Sequence, residues 1–162
     1  MTVDSQTFRK TLGAFASGVT VVTTHDPFER VPVGVTVSSF CSVSEDPPLV
    51  LFCLSKHSKS LLAINANGHF AVNILASDQR DLSDRFASKA QDKWDGVAHR
   101  PGLGKIPLIA GVLAHLECSL FKEVESGDHS IFVGKVETAT SHPEKQPLLY
   151  YRSAYADFPD QP

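Results

Sequence analysis

Cysteine is scarce in this chain of 162 residues: there are three, and methionine and tryptophan occur once each. Cys41, Cys53 and Cys118 are odd in number and far apart, which argues against a disulfide framework or a paired-thiol redox motif. They read instead as small buried hydrophobes. No cluster of Lys and Arg stands out and the net charge is −3, so a nucleic-acid-binding face is not expected. The longest apolar runs are only several residues, short of the roughly 20 that a membrane-spanning helix needs. Met1–Lys10 lacks the charged-then-apolar layout of a signal peptide, and cytoplasm is the expected compartment.

Several motifs are missing as well. Gly102 and Gly104 begin a G-x-G-x-x-G pattern that Pro107 breaks, so no dinucleotide fingerprint of the Rossmann kind is present. Gly134-Lys135 is followed by Val136, not by the hydroxyl residue of a phosphate-binding P-loop. No Ser sits in a G-x-S-x-G elbow. The seven histidines never form H-x-x-x-H. Cys53 and His57 precede the helix start expected at Ser58, while His115 and Cys118 should face opposite sides of a strand. No metal site is expected.

What remains is a composition of 42% apolar and 20% charged residues, suited to one globular domain over 1–162, with 157–162 as a short tail. Asp4 and Ser5 can cap a helix whose Phe8, Leu12, Phe15 and Ala16 share a face, with Gly18 as its stop. The period then turns to two. Val19–Thr24 and Val31–Val37 read as a hairpin about Asp26-Pro27, and Leu49–Leu54 as a buried strand after Pro47-Pro48. Ser58 caps a helix over Lys59–Asn67 that Gly68 ends. His69–Leu75 is a strand, and Asp78 caps a helix carrying Leu82 and Phe86. Alternation through Val112, Ala114, Leu116, Cys118 and Leu120, then the Gly127-Asp128 turn and His129–Thr138, completes the pattern. Many short strands with few helices predict a closed barrel decorated by helices, because a doubly wound sheet needs regular strand–helix alternation.

Two groups of hydroxyls flank the apolar strand. Thr36, Ser38 and Ser39 end one strand; Ser55, Ser58, Lys59 and Ser60 bring hydroxyls, a cation and a helix start into one loop. A helix start favours phosphate, because its free N–H groups and dipole point outward.

Five stretches carry a resemblance in order and spacing from about Phe8 to Tyr155. They are FASGVTVVTT (Phe15 to Thr24), GVTVSSFCSVSEDPPLVLFCLSKHSKS (Gly34 to Ser60), FAVNIL with DRFA downstream, GDHSIFVGKV (Gly127 to Val136) and PLLYYRSAY (Pro147 to Tyr155). Together they resemble the flavin reductase domain family, the short-chain NAD(P)H:flavin oxidoreductases that serve 4-hydroxyphenylacetate, phenol and hydroxylated-steroid monooxygenases. The resemblance implies a mainly β, Greek-key split barrel of the FMN-binding kind. It implies reduction of FMN or FAD by NADH or NADPH through hydride transfer to flavin N5, with reduced flavin passed to a separate oxygenase. A homodimer is implied too.

By the same resemblance, Val35, Thr36, Val37, Ser38, Ser39, Cys53 and Leu54 line the flavin ring, and Ser55, Lys59 and Ser60 hold its phosphate end. Asn73, Arg85 and Phe86 contact its outer parts. His129, Tyr151 and Tyr155 take the nicotinamide nucleotide, and Tyr150 faces the core. No side chain is required as an acid or base, since the cofactors carry the chemistry. Two alternatives stay open: a non-catalytic flavin-binding electron carrier on the same barrel, and a pyridoxine-phosphate oxidase-like enzyme. The first would not need His129 or Tyr151, and the second needs clustered basic residues that are few here.

Overall fold

The computed structural model describes residues 3–158; the tail beyond 158 lies outside the described residues. Asp4 caps α1 (Ser5–Leu12) as expected, accepting hydrogen bonds from the backbone N–H groups of Gln6 and Thr7, both at 2.9 Å. The helix stops at Gly13, not Gly18, so Phe15 and Ala16 fall outside it. Its apolar face meets no core in the single chain: Phe8 is 55% exposed and Leu12 56%.

The chain then runs through β1 (Ser17–Gly18), β2 (Thr20–Asp26), β3 (Val31–Val37), β4 (Cys41–Glu45) and β5 (Pro48–Ser55). The helix α2 (Lys59–Asn67), β6 (His69–Ile74) and α3 (Arg80–Ala87) follow. Next come the short β7 (His99–Pro101) and β8 (Pro107–Ile109), and the long pair β9 (Ala114–Ser126) and β10 (His129–Ser141). A small hairpin, β11 (Leu149–Tyr151) and β12 (Ala154–Ala156), closes the described chain. Seven strands form one antiparallel sheet in the order β3-β2-β6-β9-β10-β5-β4. The expected mainly β split barrel is the fold observed. Its open side is laced where Ser39, just past β3, accepts from the Cys53 N–H of β5 at 2.9 Å.

The expected hairpin at Asp26 is present, and the Asp26 carboxylate accepts from Phe28 and Glu29 N–H to form its turn. β5 alternates buried Val50, Phe52 and Leu54 with half-covered neighbours, the period-two signature of a strand with one core face. Phe52 packs edge-on to Phe70 of β6 at 5.0 Å and stacks on Phe132 of β10 at 5.4 Å. Burying each such ring contributes roughly 1.5–3 kcal/mol. Gly134 of β10 makes room for this packing, since a Cβ there would run into the Phe70 ring.

Gly34 does the same on β3, where a Cβ would lie 2.5 Å from the Phe86 ring. The bare backbone lets α3 press Phe86 flat against β3, with Trp94 completing the contact at 4.9 Å from Phe86. The Trp94 indole N–H is buried without a hydrogen-bond partner among the described residues. The far face of the sheet is covered by β8: Thr23 Oγ1 donates to the Pro107 carbonyl, and His115 Nε2 donates to the Ile109 carbonyl at 2.7 Å. His115 and Cys118 therefore face opposite ways, as expected, yet both are buried.

Three local expectations need correction. Asp78 does not cap α3; a short 3-10 turn (Ser77–Gln79) precedes it, and the Gln79 side chain accepts from Ala76 N–H instead. Ser58 occupies the N-cap position of α2 but makes no side-chain capping bond. Of the cysteines, Cys118 is buried, which pushes its thiol up to about 12, while Cys53 is half-buried and Cys41 exposed. Cys41 lies on β4, an edge strand with only one neighbour, so half of its surroundings are missing.

Candidate functional site

A cleft opens along the end of β3, with two lobes that share Thr36 and Ser38. The first lobe, about 380 Å³, lies between the ends of β3 and β5 and is lined by Val35–Ser39, Cys53–Ser55, Ser58 and His129. The second, about 490 Å³, lies between α3 and the β11–β12 hairpin. Both volumes fall in the range of small-molecule sites.

The sheet register builds the first lobe. His129 opens β10 directly opposite Ser55 of β5, and Lys56 N–H donates to the Asp128 carbonyl at 3.0 Å, holding the two loops together. Thr36 Oγ1 donates to the Ser83 carbonyl at 2.7 Å, and Ser39 binds both backbone groups of Cys53. These two hydroxyls brace the walls. The hydroxyls of Ser38 and Ser58 make no hydrogen bond among the described residues, which leaves them free for a ligand. His129 Nδ1 donates to Asp128 Oδ1 at 2.7 Å, which holds the Asp128 carboxyl below its usual range. This bond leaves Nε2 as the imidazole's other functional atom.

The second lobe is carried by one face of α3. Arg80, Ser83, Asp84 and Ala87 recur at i, i+3, i+4 and i+7 and line it together. The opposite wall is Tyr150, Ser153, Ala154 and Tyr155. Tyr155 donates its phenol proton to Asp84 Oδ1 at 2.6 Å and lies 2.9 Å from Ser83 Oγ. Burial, reinforced by the Asp84 carboxylate, raises the Tyr155 pKa. The hairpin turn places Arg152 and Ser153 at positive φ, 49° and 63°, as a two-residue type I′ connection requires.

Most of the residues expected at the flavin are thus brought together: Val35, Thr36, Val37, Ser38, Ser39, Cys53, Leu54 and Ser55 share one lobe with His129. Lys59 is exposed on the first turn of α2 and Ser60 is buried beneath it; neither lines a lobe. Three others stand apart. Asn73 is fully buried, donating to Val21 O and Thr23 Oγ1 and accepting from Ile109 N–H. Phe86 is likewise buried in the core. Arg85 points to the far side of α3, where it donates to the Asp95 carbonyl at 2.5 Å.

The three residues expected at the nicotinamide are separated. His129 lines the first lobe and Tyr155 the second, while Tyr151 lines neither and stacks under Arg152 at 5.0 Å. Tyr150, expected to face the core, packs against it and also lines the second lobe. Cross-strand pairing of Tyr150 with Tyr155 sets this face, one residue out of step with the expectation for Tyr151. Arg80, Ser83 and Asp84 were not expected at all, although their helical spacing was open to inspection.

The donor set fits a flavin. Backbone and side-chain atoms of Val35, Val37 and Leu54 could face a flat ring, Ser38, Ser55 and Ser58 could offer hydroxyls at its rim, and Lys59 adds positive charge at the adjoining start of α2. Among the described residues no three His, Cys, Asp or Glu side chains gather as a metal cluster.

Known proteins point the same way. The model of the flavin reductase like domain matches residues 12–159. HsaB, the reductase subunit of a flavin-dependent monooxygenase from Mycobacterium tuberculosis, is 45% identical over 156 residues, covering 94% of this chain and 82% of its own. Nitrilotriacetate monooxygenase component B from Mycobacterium thermoresistibile superposes with a TM-score of 0.91 at 44% identity, covering 98% of this chain and 90% of that one. The NADH:FAD oxidoreductase of Streptomyces globisporus, solved with NAD and FAD fragments, gives 0.90 at 38% identity, covering 98% and 97%. With the match spanning nearly the whole barrel and both walls of the cleft, the chain belongs to the flavin reductase like domain family.

Proposed function

We propose that this chain is an NAD(P)H:flavin oxidoreductase that reduces FMN or FAD and supplies the reduced flavin to a separate monooxygenase component. The observation that carries the reading is the two-lobed cleft joined at Thr36 and Ser38, which offers adjoining sites for a flavin ring and a nicotinamide nucleotide. Relatives named as a flavin reductase (NADH), an FMN reductase (NADH) and monooxygenase reductase subunits support it.

A bound flavin supplies a hydride acceptor, N5, to the nicotinamide C4. The chain's own part is orientation, which removes translational and rotational cost from the reaction. Val35, Thr36, Val37, Ser38, Ser39, Cys53, Leu54 and Ser55 hold the ring, and Lys59 faces its phosphate. His129, fixed by Asp128, steadies the nicotinamide from the rim, and Tyr155 lines the path of the nucleotide beyond it. Ser60, Asn73, Arg85 and Phe86 act on this site through packing: Phe86 sets α3 against β3, and Asn73 ties β6 to β2 and β8.

The homodimer belongs to this reading. Phe8 and Leu12 of α1, with Phe15 beside them, form an apolar face open on the single chain, and a second copy is the partner that a self-complementary interface would place there. Among the described residues no helix is long and apolar enough to cross a membrane. With a net charge of −3, the reading has no nucleic-acid partner, and it places the chain in the cytoplasm.

Steady-state oxidation of each nicotinamide nucleotide with free FMN and with free FAD tests the function. Turnover that depends on added flavin supports it. A chain that binds flavin but oxidises neither nucleotide is an electron carrier instead.

A further inference from the structure

We infer that Arg80 is the anion anchor for the reductant, binding the diphosphate of the nicotinamide dinucleotide in the second lobe, and that Tyr155 is the residue that positions it. This rests on the reading of the cleft as a site of flavin reduction.

The guanidinium of Arg80 lies over the Tyr155 ring, 4.8 Å from its centroid. Such a stack orients the guanidinium plane while leaving its edge N–H donors available, and those donors match phosphate oxygens in pairs. No ion pair or hydrogen bond engages the Arg80 side chain among the described residues; the ion pairs there belong to Lys56, His129, Lys135 and His142. Arg80 thus offers an unpaired positive charge at the wall of a cavity of about 490 Å³, where the one carboxylate of the lining, Asp84, is engaged by the Tyr155 hydroxyl rather than by the guanidinium.

The platform beneath it is itself held. The Tyr155 hydroxyl is tied to Asp84 and Ser83 at 2.6 and 2.9 Å, and the Tyr150 ring meets Tyr155 edge-on at 5.4 Å. Asp84 and Ser83 stand on α3 with Arg80, so helix and hairpin lock the stack from both sides.

Charge balance then assigns the ligand. A nicotinamide dinucleotide brings two phosphate charges, and a flavin brings its own phosphate. Lys59 lies at the Ser55–Ser58 end of the first lobe, where the flavin phosphate is placed. Among the residues lining the second lobe, Arg80 is the one permanent cation. Because Thr36 and Ser38 line both lobes, a nucleotide whose nicotinamide lies over the flavin ring can run its diphosphate across them into the second lobe and reach Arg80.

The test compares Arg80→Gln, Arg80→Lys, Tyr155→Leu and the double variant Arg80→Gln/Tyr155→Leu with the parent chain. The readouts are the KM for NADH and kcat at saturating FMN, together with FMN and riboflavin affinities from flavin fluorescence. We expect Arg80→Gln to raise the NADH KM about tenfold, the loss of one charge-assisted contact, with kcat within about twofold. Arg80→Lys should recover part of the loss. Tyr155→Leu should raise the same KM, and the double variant should add little to either single change, because both remove one unit. A purely structural role for Tyr155 would instead lower stability without this split between KM and kcat. An unmoved NADH KM in Arg80→Gln overturns the assignment, and so does weakened FMN binding that riboflavin does not share, which would move Arg80 to the flavin phosphate. If the parent chain oxidises no nicotinamide nucleotide with any flavin, the whole reading of the cleft fails, this assignment included.

Discussion

The two lobes of the cleft are made by different means. The first is an extension of the barrel: its walls are the ends of β3, β5 and β10, whose side chains Val37, Phe52, Leu54 and Phe132 sit in the main core. The second is assembled from separate pieces, α3 and the β11–β12 hairpin, joined by the contacts of Tyr155 with Ser83 and Asp84 and by the packing of Tyr150. Hydroxyls line both lobes, and the second adds a cation, a carboxylate and two aromatic rings, Arg80, Asp84, Tyr150 and Tyr155.

The largest effect should come from the part that holds the first lobe. Phe70→Ala removes the ring against which Phe52 packs and should cost about 3–5 kcal/mol of stability. Denaturant unfolding checks this, and the loss should be accompanied by weaker flavin binding. If Phe70→Ala kept the parent stability, the first lobe would not depend on this core.

Ser39→Ala should come next. It removes the hydroxyl that braces the Cys53 backbone at the lobe's edge, and flavin affinity should fall roughly tenfold, in line with loss of about one well-placed hydrogen bond. A fluorescence titration measures this, with a melting temperature as the control for folding.

His129→Ala sharpens the comparison, because His129 sits in the first lobe yet is assigned to the reductant. Its loss should lower kcat/KM for NADH about tenfold and leave flavin affinity within about threefold. Stopped-flow reduction of pre-bound flavin separates the two. The reverse pattern, normal reduction with poor flavin binding, would make both ends of the first lobe flavin-specific.

A smaller effect concerns the scaffold that both lobes share. Burial lowers the His115 pKa, while its bond to the Ile109 carbonyl pulls the other way and Arg100 and His142 add to the lowering. The native chain therefore holds His115 neutral at a pH where the unfolded chain binds a proton. Stability is whole above about pH 6.5, the ordinary histidine value, and declines as pH falls below it. Thermal melts taken about one unit either side of that value should show the decline in the parent chain and a flatter profile in His115→Gln.

The first lobe was readable in the sequence and the second was not, for a physical reason. Val31–Val37 and Leu49–Leu54 alternate or run apolar as strands must, and hydroxyls at their ends fall on the cleft whatever the details of pairing. The face of a short strand, however, depends on where its turn lands. Arg152 and Ser153 form the turn between β11 and β12, which pairs Tyr150 with Tyr155 and turns Tyr151 away. The helix was legible only in part: Leu82 and Phe86 marked its buried side, but the complementary face at Arg80, Ser83, Asp84 and Ala87 becomes meaningful once a hairpin stands opposite. β4 went unseen because Cys41–Glu45 is an exposed edge strand whose residues show no alternation in burial. Gln79 supplied the turn contact that Asp78 was expected to make, as the 3-10 turn moves the start of α3 along the chain.

The claim on which the account depends is that flavin and reductant meet in this cleft. Anaerobic mixing of the chain with stoichiometric FMN and NADH tests it most directly, with the flavin and nicotinamide absorbance bands followed together in the stopped flow. The account predicts that both bands bleach with one common rate, that the rate saturates with NADH, and that neither band changes without the protein on that timescale. A nicotinamide band that persists while flavin is bound, or one that bleaches equally fast without flavin, would contradict it.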